Sequence, residues 1–114
     1  MKPENLFSIL SDQTRLRALM LIQAEGEACV CEITYALDES QPKISRHLAL
    51  MRESGIVESR REGTWIHYRI NPDLPVWSKE VISKVFAGLN ELSPFAEDQQ
   101  QLEQMNNRPQ RGAA

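Results

Sequence analysis

The hydrophobic period changes once along the chain, at Gly55, and that change sets what the chain can fold into. Before it, Ile44, His47, Leu48 and Met51 fall within one arc at about 100° per residue, the pattern of a helix fastened to a core on one side. After it, Ile56 to Arg61 and Thr64 to Ile70 are rich in branched and aromatic residues and read as two extended segments. Glu62-Gly63 joins them as a hairpin, with Gly63 supplying the positive φ that a tight turn needs.

Helical spacing governs the rest. Leu6, Phe7, Ile9 and Leu10 make a short first helix, and Ser11 or Asp12 can cap a second that runs to about Gln23, with Leu16, Leu19, Met20 and Gln23 inward and Arg15 and Arg17 toward solvent. Gly26 ends it or lies in the following turn. A third helix starts near Cys29, with Ile33, Ala36 and Leu37 on one face, and Asp38-Glu39 forms a turn. Ser40 caps the fourth helix, and Pro42 near its start gives up an N–H that has no partner there. Beyond Asn71 to Pro75, a fifth helix to about Leu92 carries a stripe of Val81, Val85, Leu89 and Leu92 that needs a partner surface. From Ser93 onward little is left to bury, so disorder is expected past about Asp98. The fold class is mainly α with a small β-hairpin: four helices, the hairpin, then a fifth helix. That is a winged helix-turn-helix, one domain over residues 1–97 with a polar tail over 98–114.

The net charge of −3 argues at first against a nucleic-acid partner, but the charge is segregated. Residues 41–70 hold six basic and three acidic residues, a balance of +3, whereas residues 1–40 hold three basic and seven acidic ones, a balance of −4. The basic segment coincides with the fourth helix and hairpin. On that helix, the side away from the core carries Pro42, Ser45, Arg46 and Ala49, with Gln41 and Lys43 at its N-terminal end. Arg46 can pair with guanine through two bonds and Gln41 can match adenine, while Lys43 suits phosphate. The hairpin adds Arg60, Arg61, Thr64, His67 and Arg69 as a basic wing for the DNA backbone or minor groove. With His47, these residues are the expected DNA contacts. No nucleophile beside a base and no phosphate-cradling Gly-rich loop points to an enzyme, and no cofactor is required.

Ser40 to Leu48, then Gly55, then Trp65-Ile66-His67-Tyr68-Arg69 resemble the DNA-binding region of the ArsR/SmtB family of metal-responsive repressors, and Asp12-Gln13-Thr14-Arg15-Leu16 resembles that family's second-helix opening. The similarity spans roughly residues 5–92. It implies a homodimer joined through the first and last helices, which would cover the Trp77, Val81, Val85 and Leu89 stripe, and an operator that is an inverted repeat of double-stranded DNA.

The chain has two cysteines, Cys29 and Cys31. At a helix start the macrodipole favours thiolate, the soft ligand thiophilic ions seek, yet cysteine is also at home in a core, so spacing leaves ligation and packing both open. In a regular helix the two side chains would diverge by about 200°, so joint ligation would require the first turn to unwind. The pair is similar to the arsenic-sensing motif of ArsR proteins, which implies a repressor of an arsenic-resistance operon with As(III) or Sb(III) as inducer. The family's third cysteine is replaced by Thr34. A hydroxide, a small cellular thiol or nothing would complete the centre, and a methylated trivalent arsenical or thiol oxidation are alternative signals. Zinc is disfavoured because the last helix lacks the Asp/His/Glu set of the family's zinc sensors. No membrane-spanning or signal segment is evident, and a reducing cytoplasm, the default location, would keep both cysteines as thiols.

Overall fold

Capping chemistry sets the helix boundaries. The computed structural model describes residues 1–109. Helix α1 spans Pro3–Ser11 and α2 spans Gln13–Glu25. Asp12 begins α2 by accepting the Arg15 backbone N–H at 3.0 Å, a bond that also lowers the Asp12 carboxyl pKa. Gly26 ends α2 at φ 81°, its N–H returning to the Ile22 carbonyl. A two-residue strand β1, Ala28–Cys29, leads into α3, Val30–Leu37. Asp38 takes the left-handed conformation at φ 53°, and the N–H groups of Asp38 and Glu39 bond to the carbonyls of Tyr35 and Thr34. That pairing closes α3 and turns the chain into α4, Gln41–Glu53.

Helix α4 buries Ile44, Leu48 and Met51, spaced one and two turns apart, each contributing roughly 1.5–3 kcal/mol for an apolar side chain removed from water. The hydroxyl of Ser40 makes no capping bond; only its carbonyl engages, accepting from Ile44 N–H. At the other end Gly55 stands at φ 87°, with Gly55 N–H bonded to Arg52 O and Ile56 N–H to Met51 O. The same residue that marks the change of period thus closes the helix and releases the chain into the sheet.

Strands β2 (Val57–Glu62) and β3 (Trp65–Ile70) pair antiparallel from Glu62 opposite Trp65 to Val57 opposite Ile70. The turn between them is Gly63-Thr64, one residue later than expected, with Gly63 at φ 63°. Strand β1 adds to the open side of β3, placing Cys29 opposite His67, so the sheet order is β1-β3-β2. Helix α5, Val76–Leu89, turns Ser78 and Ile82 inward and leaves Trp77 exposed and Val81, Val85 and Leu89 half-buried. Leu92 lies beyond the helix.

Two expectations fail here. The chain does not fade after Asp98: helix α6, Phe95–Glu103, packs on α2 and α3, burying Phe95, Asp98 and Leu102. Residues 98–103 of the expected tail therefore belong to a packed helix, and 110–114 fall outside the described residues. Arg17 does not face solvent, because its guanidinium donates to both oxygens of Asp98, at 2.9 and 2.6 Å, and to the Leu37 carbonyl. That contact raises the Arg17 pKa. Arg15 is likewise drawn in, reaching the Ser8 carbonyl and the His47 ring. Among the described residues no helix is long and apolar enough to cross a membrane.

Candidate DNA interface and sulfur pair

Helices α3 and α4 form the helix-turn-helix, and the hairpin stands beside them as the wing. On the outer face of α4, Gln41, Pro42 and Arg46 are exposed. Gln41 Nε2 donates to Ser45 Oγ at 2.7 Å, which holds the two side chains side by side at the helix start. Lys43 is drawn to Glu39 at 3.0 Å. Arg46 has no carboxylate partner among the described residues.

The wing is less basic than its composition suggests. Arg60 binds Glu27 and Glu62, which raise its pKa, and Arg69 binds Glu58. Arg61 is exposed without an ion pair among the described residues, and Thr64 is exposed in the turn. His67 has no exposed surface: it points into the sheet layer across from Cys29, its Nε2 3.9 Å from a Glu62 oxygen. It is therefore withdrawn from the DNA-facing set: it shares a strand face with exposed Trp65 and Arg69, but it sits mid-sheet between Cys29 and Arg60 and is fully covered there. His47 is half-buried toward the start of α2, its Nδ1 3.4 Å from Arg15 Nη1 and 4.0 Å from an Asp12 oxygen.

Burial lowers the His47 pKa below its ordinary 6.5; Asp12 opposes the shift, while Arg15, Lys43 and Arg46 reinforce it. The unfolded chain therefore takes up this proton first, so the His47 contribution to stability is present above about pH 6.5 and is lost as pH falls through the depressed value. Urea unfolding between pH 7.5 and 5 should show stability declining with acidity, with a shallower decline in His47→Gln. An unchanged slope would contradict this assignment.

The sulfur pair differs from the expected geometry. Cys29 is the N-cap of α3, in extended conformation at φ −87° and ψ 164°, and only Cys31 is helical. The 200° divergence of two helical residues does not apply, so the sulfurs meet without unwinding the helix. They are joined in a disulfide, with Cα atoms 5.4 Å apart, rather than standing as free thiols. Cys29 is buried and Cys31 half-buried. Cys29 Sγ accepts the Glu32 N–H at 3.3 Å, while Glu32 Oε1 accepts the Cys29 N–H at 2.9 Å, a reciprocal capping box with sulfur in place of a hydroxyl. Buried Glu32 is also held by Arg108 Nε at 2.7 Å.

A cleft of about 430 Å³ opens beside this pair. One wall is Cys29, Val30 and Cys31; the second is the outer face of α4, with Gln41, Ser45, Ala49 and Arg52; the third is the wing, with Thr64, Trp65, Ile66 and Tyr68. The structure thus brings Gln41, Ser45, Thr64 and both cysteines together and leaves Arg61 outside. Arg52 and Trp65 were not expected here. Their signal in sequence was only an arginine in the last turn of α4 and a tryptophan just past the hairpin turn.

Residues 12–59 match the family of bacterial regulatory proteins described as the arsR family. The arsenical resistance operon repressor of Escherichia coli K12 is 51% identical over 84 residues, covering 74% of this chain and 72% of that protein. Among solved structures, the AntR antimony-specific transcriptional repressor is similar with a TM-score of 0.62 at 27% identity, covering 75% of each chain. The homodimeric winged helix-turn-helix DNA-binding domain of Mb0332 from Mycobacterium bovis gives 0.60 at 31% identity, covering 77% of this chain and 74% of that one.

Proposed function

Because the chain belongs to the arsR family of bacterial regulatory proteins, we propose that this winged helix-turn-helix repressor leaves its operator when trivalent arsenic binds the thiolates of Cys29 and Cys31. The observation that carries the reading is the shared cleft: the sulfur pair and the outer face of α4 line one cavity. A disulfide offers no thiolate, so the receptive form is the reduced pair, reached when two small thiols give up two electrons and two protons and leave as a disulfide of their own. Arsenite then exchanges two hydroxides for the two sulfurs, each thiol proton leaving as water. Trivalent antimony has the same valence and the same preference for sulfur. A centre set between α3, α4 and the wing alters the spacing of the surfaces that must fit the duplex together, which couples inducer binding to DNA release.

In this reading Gln41, Pro42, Lys43, Ser45 and Arg46 enter the major groove, while Arg60, Arg61, Thr64 and Arg69 lie along the backbone. The working unit is a homodimer on an inverted repeat. Phe7 of α1 is 57% exposed and Trp77 of α5 is 39% exposed, apolar surface on the two helices expected to meet a second copy.

Anisotropy of labelled DNA from upstream of the protein's own gene tests the proposal. With reduced wild type, arsenite should release the DNA, and Cys29→Ser or Cys31→Ser should abolish that response while still binding DNA. Arsenite leaving the wild-type complex intact would refute arsenic sensing. The disulfide favours a second reading, in which oxidation itself is the signal. Peroxide releasing reduced protein in the absence of arsenic would select it.

A further inference from the structure

We infer that the cleft beside Cys29 and Cys31 is a second ligand site that takes a carboxylate-bearing small thiol, whose sulfur becomes the third ligand of the bound arsenic. This rests on the arsenic reading above and extends it. Trivalent arsenic binds three groups, and the chain offers two sulfurs. Among the described residues no cluster of three His, Cys, Asp or Glu side chains could complete a site. The remaining ligand must come from solution, and the cavity at the sulfurs has the volume of a small-molecule site, about 430 Å³.

Its walls suit a thiol peptide better than a hydroxide. Val30, Trp65 and Ile66 give apolar surface near the sulfurs. Arg52 lines the same cavity from the last turn of α4, exposed and without a carboxylate partner among the described residues. A guanidinium placed there can take a carboxylate through two parallel bonds, and the Gln41 amide adds a polar contact. A hydroxide would leave this volume to water and Arg52 unused.

The chemistry balances. Two small thiols reduce the Cys29–Cys31 disulfide, leaving as one small disulfide and giving two protein thiols. Arsenite then exchanges its three hydroxides for Cys29 sulfur, Cys31 sulfur and the sulfur of a third small thiol, releasing three waters; arsenic stays trivalent throughout. The bound thiol also brings negative charge against Gln41 and Ser45, where phosphates and base edges would approach, and so opposes DNA directly.

Glutathione is the probe. Full-length protein is reduced with a phosphine, which supplies no thiol, and arsenite is titrated against the DNA complex with and without millimolar glutathione. Glutathione should lower the arsenite half-point at least about tenfold, although it competes for arsenic in solution, and native mass spectrometry should show one arsenic and one glutathione per protomer. Mercaptoethanol, lacking a carboxylate, should give much less, and Arg52→Gln should lose the glutathione effect relative to its own arsenite-only half-point. An unchanged half-point with arsenic but no thiol in the mass overturns the cleft site and leaves the two-cysteine reading standing. Arsenic absent from reduced wild type under both conditions overturns both. An equal effect of mercaptoethanol, or a full glutathione effect in Arg52→Gln, overturns the role given to the carboxylate.

Discussion

Asp98→Ala should lower the free energy of unfolding by about 3 kcal/mol and the melting temperature by roughly 10 °C or more. The side chains of Arg17 and Asp98 are only 18% and 5% exposed, so the pair is largely stripped of water and each charge depends on the other. Removing the carboxylate leaves the guanidinium in a half-dry site with one carbonyl, that of Leu37, for company. It also unfastens α6 from α2 and α3. Replacing both residues with apolar ones, as in Arg17→Met with Asp98→Leu, should recover most of the loss, because the penalty lies in the orphaned charge. Chemical denaturation of the three proteins decides it: a loss under 1 kcal/mol would mean that the last helix is not held by this pair.

Arg46→Ala should weaken binding to operator DNA about 10- to 100-fold and leave random DNA almost unchanged, as loss of a two-bond contact to guanine does. Arg61→Ala should weaken both sequences alike and reduce the salt slope by about one. Arg60→Ala and Arg69→Ala should do less than Arg61→Ala, since Glu27, Glu62 and Glu58 already hold those guanidiniums. Salt titrations on specific and random DNA separate these outcomes. Equal losses on both DNAs for Arg46→Ala would remove its base-reading role, and equal losses for the three wing arginines would show that their ion pairs open on the DNA.

The elements with strong periods were legible in the sequence. Ile44, Leu48 and Met51 announced the recognition helix, Gly55 its end, and the branched run around Gly63 the wing, because burial of one face leaves a mark at fixed spacing. What escaped was polar structure with distant partners. Helix α6 is built on Phe95, Asp98 and Leu102, a face at helical spacing whose middle member is charged; without Arg17 in view, a run of glutamine and glutamate looked like a solvated tail. The two residues of β1 are too few for any period, and they take Cys29 out of the helix and bring the sulfurs together. His67 and the wing arginines were counted by residue type, whereas the neighbouring strands that cover His67 and the carboxylates that hold Arg60 and Arg69 decide which of them are available.

The Arg17–Asp98 pair joins residues separated by 81 positions in the chain, and this orders events during synthesis. A growing chain can form α1 to α4 early, since they are contiguous and share a core. The face of α3 that α6 covers stays wet until Phe95–Glu103 has been added. A message cut short near codon 95 would thus yield a reader whose cysteine-bearing helix is uncovered on one side, and that layer of the nascent repressor closes only when α6 folds back over α3.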